Sequence, residues 1–215
     1  MSRLSEGARM NDAFWSPRDC FLQPPALLLE GLEKIDEAVE AHLDNDRKTA
    51  QELLLATDFE EVRAYVDRVQ GKNDPEVHRY REVAGAPPIE RARYRMPSAK
   101  AQIAIFERDG WRCRFCGIKV ILRAAIKAIN EVYAAEVRWD SPQRYQHPVF
   151  RAACVSADHI VPHSRGGTND PENIVAACGP CQFGRNQWLL EEVGINDPRE
   201  RQPVVDEWDG LTRLL

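Results

Sequence analysis

The chain lacks any run of about 18 consecutive apolar residues, so nothing in it reads as a membrane-spanning helix. Its first residues, MSRLSEGARMNDAFW, hold no apolar stretch of the kind a secretory signal needs, and a cytoplasmic setting is expected. Internal repeats and low-complexity tracts are absent, which excludes solenoid and linker-like architectures. Positive charge is in short supply: 29 Lys and Arg face 34 Asp and Glu, a net charge of −5 that, if evenly spread, would argue against nucleic acid as a partner. In a reducing compartment the six cysteines do not suggest disulfides. What is present is an ordinary soluble composition, 43% hydrophobic and 29% charged over 215 residues, enough for one good core with at most a small satellite.

The charge is not evenly spread. Residues 1–75 carry nine Lys/Arg against sixteen Asp/Glu, residues 76–123 eleven against five, and residues 124–215 nine against thirteen, giving −7, +6 and −4. A basic centre inside an acidic whole offers one face for phosphates, while the acidic remainder limits non-specific DNA affinity; a solvated, salt-bridged surface is the plainer alternative.

Hydrophobic periodicity divides the chain. Pro24-Pro25 precedes a periodic run, Ala26 to Leu43, with Leu28, Leu32, Ile35, Val39 and Leu43 on one face. Lys48 to Ala56 and Phe59 to Val69 are two further amphipathic helices, so residues 1–72 read as an acidic helical arm or docking segment for a larger partner. Residues 73–97 form an Arg-rich connector interrupted by Gly85-Ala86-Pro87-Pro88. Ala99 to Arg108 is a helix ended by Asp109-Gly110, and Lys119 to Trp139 is spaced for one long helix through Val120, Ile121, Ala124, Ala128, Val132 and Ala135. That helix and the proline-bearing loop after it make an insertion at about 118–153. Val155 to Val161 reads as a strand, Asn173 to Val175 as its antiparallel partner across a loop centred on Gly166-Gly167, and Pro180 to about Glu192 as a helix: a ββα unit. Residues 193–215 are a tail expected to pack on the body. The fold class is α+β and mainly helical.

Cys113-x-x-Cys116 and Cys178-x-x-Cys181 have the spacing with which two knuckles close one tetrahedral zinc site. Four thiolates leave such an ion no open position for water, so any catalysis needs a second, harder ion with oxygen ligands. Asp158 offers one oxygen, and His159 beside it has an imidazole suited to take a proton near neutral pH. Adjacent strand residues point to opposite faces, which sets these two at odds. Cys20 and Cys154 remain as buried or inert thiols, and His42, His78, His147 and His163 as surface or packing residues.

The run Phe106 to Gly117, with Ala157-Asp158-His159-Ile160-Val161-Pro162, Arg165-Gly166-Gly167, Pro171-Glu172-Asn173-Ile174-Val175 and Cys178-Gly179-Pro180-Cys181, resembles the HNH endonuclease family over residues 98–192. The resemblance implies a ββα-metal core with a structural Zn²⁺ on Cys113, Cys116, Cys178 and Cys181. It further implies a catalytic Mg²⁺ or Mn²⁺ held by Asp158 and Gln182, His159 as general base, and Asn173 as the residue that orients the imidazole by a hydrogen bond. Gln182 stands where the family usually has Asn or His, and its extra methylene carries the carboxamide oxygen outward. Arg165 and Arg185 are candidates to grip DNA phosphates, and Gly166-Gly167 either lets DNA approach the backbone or makes the turn the hairpin needs. The implied activity is hydrolysis of DNA to 5′-phosphate and 3′-hydroxyl ends, in a prokaryotic defence or restriction setting. The alternatives are a non-cleaving zinc-knuckle DNA-binding module and an effector subunit that docks through the N-terminal helices.

Overall fold

The computed structural model describes residues 17–70, 94–139 and 142–215. Most of the Arg-rich connector, with His78 and the Gly-Ala-Pro-Pro break, lies outside them.

Helix α1, Ala26–Leu43, follows Pro25 and buries Leu28, Gly31, Leu32, Ile35, Ala38 and Val39, the three-and-four spacing of a single apolar face. Leu43, placed on that face by sequence, is 44% exposed at the helix end. In α2, Arg47–Leu55, Asp46 caps the start by accepting from Thr49 N at 3.1 Å. Helix α3 spans Glu60–Gln70 and α4 Ala99–Arg108, the latter capped by Ser98 and stopped at Gly110.

The long helix expected over Lys119 to Trp139 is shorter: α5 is Arg123–Val132. Residues before it run extended, because Lys119 pairs with Arg112 and Ile121 with Cys154 across isolated bridges. Those pairings shift the helical face by one residue, so Ala125, Ile126 and Ile129 are buried in place of Ala124 and Ala128. The region expected to be a returning loop contains α6, Pro148–Ala153, all six residues of it buried. Pro148 starts this helix rather than breaking it, because a first-turn residue has no helical N–H bond to lose.

Strands β1, Ser156–His159, and β2, Ile174–Ala177, form the antiparallel hairpin the sequence predicts, with Asp158 opposite Val175 and His159 opposite Ile174. Helix α7, Gly179–Arg185, follows at once and is shorter than expected, since Asn186 turns the chain out at φ 52°. The fold is therefore α+β and mainly helical, with a ββα core.

Helices α1–α3 do not stand apart from this core: α3 packs on α6 and α7, and α1 on α6. Arg151, almost wholly buried, ties the layers by donating to Asp67 Oδ1 at 2.7 Å and Gln70 Oε1 at 2.6 Å. The tail closes the other side, where Trp208 Nε1 donates to Val120 O at 3.0 Å and Leu211 is buried. No described helix is long and apolar enough to cross a membrane.

Candidate active site and metal centre

The four predicted cysteine ligands come together. Cys113–Cys116 sits on a tight turn in which Cys113 N donates to Ile118 O at 2.9 Å and Gly117 N to Cys113 O at 2.8 Å. Cys178 precedes α7 and Cys181 lies in its first turn. All four sulfurs fall within 4.8 Å of one another, and Cys116 Sγ is 3.6 Å from Cys178 Sγ. A tetrahedral zinc with Zn–S of about 2.3 Å requires sulfurs about 3.8 Å apart, so the cluster fits a structural zinc. Burial opposes ionisation of Cys113, yet hydrogen bonds from the other three thiols pull it well below the ordinary thiol range. Burial and the same crowding push Cys178 up, and hydrogen bonding with burial does so for Cys181. The leftover Cys20 and Cys154 are buried thiols, and burial foremost raises both, Cys20 to about 12.

A cleft of about 370 Å³ opens between the end of β1 and the second half of α7, where Gln182, Phe183, Asn186 and Gln187 line it. Asp158, His159, His163 and Gln182 line it together with Arg95 and Phe183. Asp158 and His159 thus share one cleft, because it wraps the end of the strand where His159 is the last residue. The His163 ring lies 6.3 Å from that of His159. The Gln182 carboxamide makes no hydrogen bond among the described residues.

Arg185 does not reach solvent. It is 1% exposed and spends all five N–H groups internally. Nε and Nη2 donate to Asp158 Oδ2 at 3.0 and 2.7 Å, Nη1 donates to Ile160 O at 3.3 Å and Trp188 O at 2.8 Å, and Nη2 also donates to His159 O. Its guanidinium lies 5.7 Å from the centre of the Phe115 ring in the cysteine knuckle. The expectation of a phosphate-gripping Arg185 is corrected: the side chain sits beneath the cleft floor and clamps the carboxylate. Because both N–H groups take Oδ2, Asp158 Oδ1 is left without a hydrogen bond among the described residues. Burial lifts the Asp158 carboxyl above its ordinary range, and Arg185 opposes that lift.

Asn173 is also corrected. It does not touch the imidazole: its Oδ1 accepts from Val161 N at 2.9 Å, and its Nδ2 donates to Thr168 O at 2.9 Å and Val161 O at 3.2 Å. Its position one residue before β2 puts the amide under the 161–168 loop, which it pins. The imidazole instead contacts Asn169, with His159 Nε2 2.9 Å from Asn169 Oδ1. Sequence reasoning missed Asn169, although the hairpin it drew folds that loop back onto the strand end. Arg165 is paired with Glu192 at 2.7 Å and is mostly covered. Gly166 takes φ 90°, and a Cβ on Gly167 would lie 1.7 Å from Val161 O, so both glycines serve the closing of the loop on itself.

The family model described as HNH endonuclease matches residues 147–182, which span α6, the hairpin and the second cysteine pair. No curated protein matches the chain significantly, and no solved structure does so either.

Proposed function

We propose that the HNH segment makes this protein a metal-dependent endonuclease that hydrolyses DNA phosphodiester bonds in the cleft at His159. The observation that supports this most is a convergence: an imidazole, a carboxylate oxygen and a carboxamide, the last two without hydrogen bonds to described residues, face one cleft. In this reading Asp158 through Oδ1 and Gln182 hold a divalent ion such as Mg²⁺ or Mn²⁺, and the four cysteines hold a structural Zn²⁺. Bound there, the divalent ion supplies Lewis-acid stabilisation of charge on the phosphate and the leaving 3′ oxygen.

The remaining steps belong to side chains. His159, covered at the strand end, takes the proton of the attacking water. Arg185 keeps Asp158 in place by bonding its other oxygen. Asn173 holds the loop that roofs the cleft, and Arg95 offers a guanidinium to the phosphate backbone, with Arg165 doing so on release from Glu192.

Supercoiled plasmid incubated with the zinc-loaded protein in Mg²⁺, Mn²⁺ and chelator tests the reading, with His159→Ala alongside. Metal-dependent nicking that the variant loses is expected. A variant that cuts at the wild-type rate removes His159 from the reaction, and retardation without cutting in any metal replaces the enzyme with a DNA-binding module.

A further inference from the structure

We infer that Asn169 is a positioning residue that fixes the tautomer of His159 and makes Nδ1 the atom that accepts the proton; this deepens the nuclease reading and rests on it. The 2.9 Å contact between His159 Nε2 and Asn169 Oδ1 does not by itself say which atom carries the hydrogen, since an imidazole nitrogen both donates and accepts. The other end of the amide decides. Asn169 Nδ2 donates to the Tyr94 carbonyl at 2.9 Å, and a carbonyl only accepts. The NH₂ group therefore faces Tyr94 and the oxygen faces His159. An amide oxygen at bonding distance from a ring nitrogen requires that nitrogen to be protonated, because the opposite tautomer would set two lone pairs against each other.

Neutral His159 is then the Nε2–H form, and the lone pair available to a water proton is on Nδ1. Asn173 cannot share this task, since its oxygen and nitrogen are committed to Val161 and Thr168. The relay also has a start. Tyr94 adjoins Arg95, which lines the cleft, so a backbone carbonyl next to a phosphate-facing guanidinium holds the amide that holds the base. Whatever orders that stretch of chain orders the imidazole two hydrogen bonds away.

Long-range ¹H–¹⁵N correlation spectra of ¹⁵N-histidine-labelled, zinc-loaded full-length protein in Mg²⁺ read the tautomer directly, with His159→Gln to assign the ring. The expected pattern is a protonated Nε2 and an unprotonated Nδ1. Asn169→Ala should lose the slowly exchanging Nε2–H signal and lower kcat for plasmid nicking about tenfold at unchanged KM, the effect of one lost hydrogen bond. Asn169→Asp, which keeps an oxygen toward the ring, should recover the signal and most of kcat. A wild-type ring protonated on Nδ1 overturns the inference, as does Asn169→Ala with wild-type kcat and ring signals. A wild-type protein that shows the expected tautomer but cuts nothing supports the positioning contact and sinks the nuclease reading instead, so the two fail separately.

Discussion

Replacing Arg185 by Met removes the guanidinium that, among the described residues, is hydrogen-bonded to the buried Asp158 carboxylate, and the structure says what that should cost. Asp158 is buried, and its Oδ2 receives two N–H groups from Arg185. Breaking a buried pair from one side costs about 3–5 kcal/mol, because the remaining charge is left without water or partner. Three backbone carbonyls, of His159, Ile160 and Trp188, lose a donor at the same time. For a protein of this length about 1 kcal/mol moves the melting temperature by roughly 2–4 °C, so Arg185→Met should lower Tm by roughly 6–20 °C. Arg185→Lys should fall between, since an ammonium has three donors where the guanidinium uses five. The double variant Asp158→Asn/Arg185→Met should be less unstable than the sum of the singles, because removing both partners leaves no buried charge. The assay is thermal unfolding of zinc-loaded protein at neutral pH. A Tm loss under about 2 °C for Arg185→Met would refute the argument and return Arg185 to the surface.

Cys178→Ser should abolish zinc binding and cooperative melting together, since a structural zinc contributes on the order of 10 kcal/mol, comparable with the whole stability of a domain; zinc stoichiometry and calorimetry on the same sample check it. His147 is buried against Thr57, and burial holds its imidazole down to about 4, below the ordinary value of about 6.5. The unfolded chain therefore binds one more proton than the fold between those values, and stability should fall by up to about 3 kcal/mol as pH drops through that window. Denaturant titrations across that range should flatten in His147→Gln, and an equal slope in both proteins would count against the assignment. Gln182→Ala should raise the Mn²⁺ concentration needed for half-saturation about tenfold, by direct binding as well as by cutting; unchanged Mn²⁺ binding would remove Gln182 from the metal site.

Elements whose signal is local were legible in the sequence. Ala26–Leu43 and Ala99–Arg108 announce themselves by periodic apolar positions and by Pro25, Ser98 and Gly110 at their ends. The hairpin was legible from short β-branched runs around Gly166-Gly167, and the metal centre from cysteine spacing alone. What was lost depends on partners far along the chain. Residues 119–122 have helical spacing but run extended, because Arg112 and Cys154 supply backbone pairing that no local window contains. Pro148 looks like a breaker until its place in the first turn is known. Arg165 and Arg185 are indistinguishable as letters, and only the fold pairs one with Glu192 and makes the other a buried clamp on Asp158. Asn169 contacts the imidazole where Asn173 was expected for the same reason: a loop amide's partner is set by how the loop closes.

The charge pattern gains its meaning from the same folding. The acidic helix α1 gathers Glu33, Asp36, Glu37 and Glu40 opposite Asp206, Glu207 and Asp209 of the tail, around Lys119 and Arg213. Among the described residues the cleft at His159 has one carboxylate in its lining, Asp158, whose charge Arg185 offsets, and Arg95 lines it as well. These seven acids thus line a different wall from the one where a phosphate would lie. Long-range attraction to DNA is then weak, and binding in the proposed reaction has to come from short-range contacts inside the cleft, which salt screens less than it screens a basic surface. Nicking should therefore depend only shallowly on ionic strength compared with a nuclease that tracks DNA on a positive face.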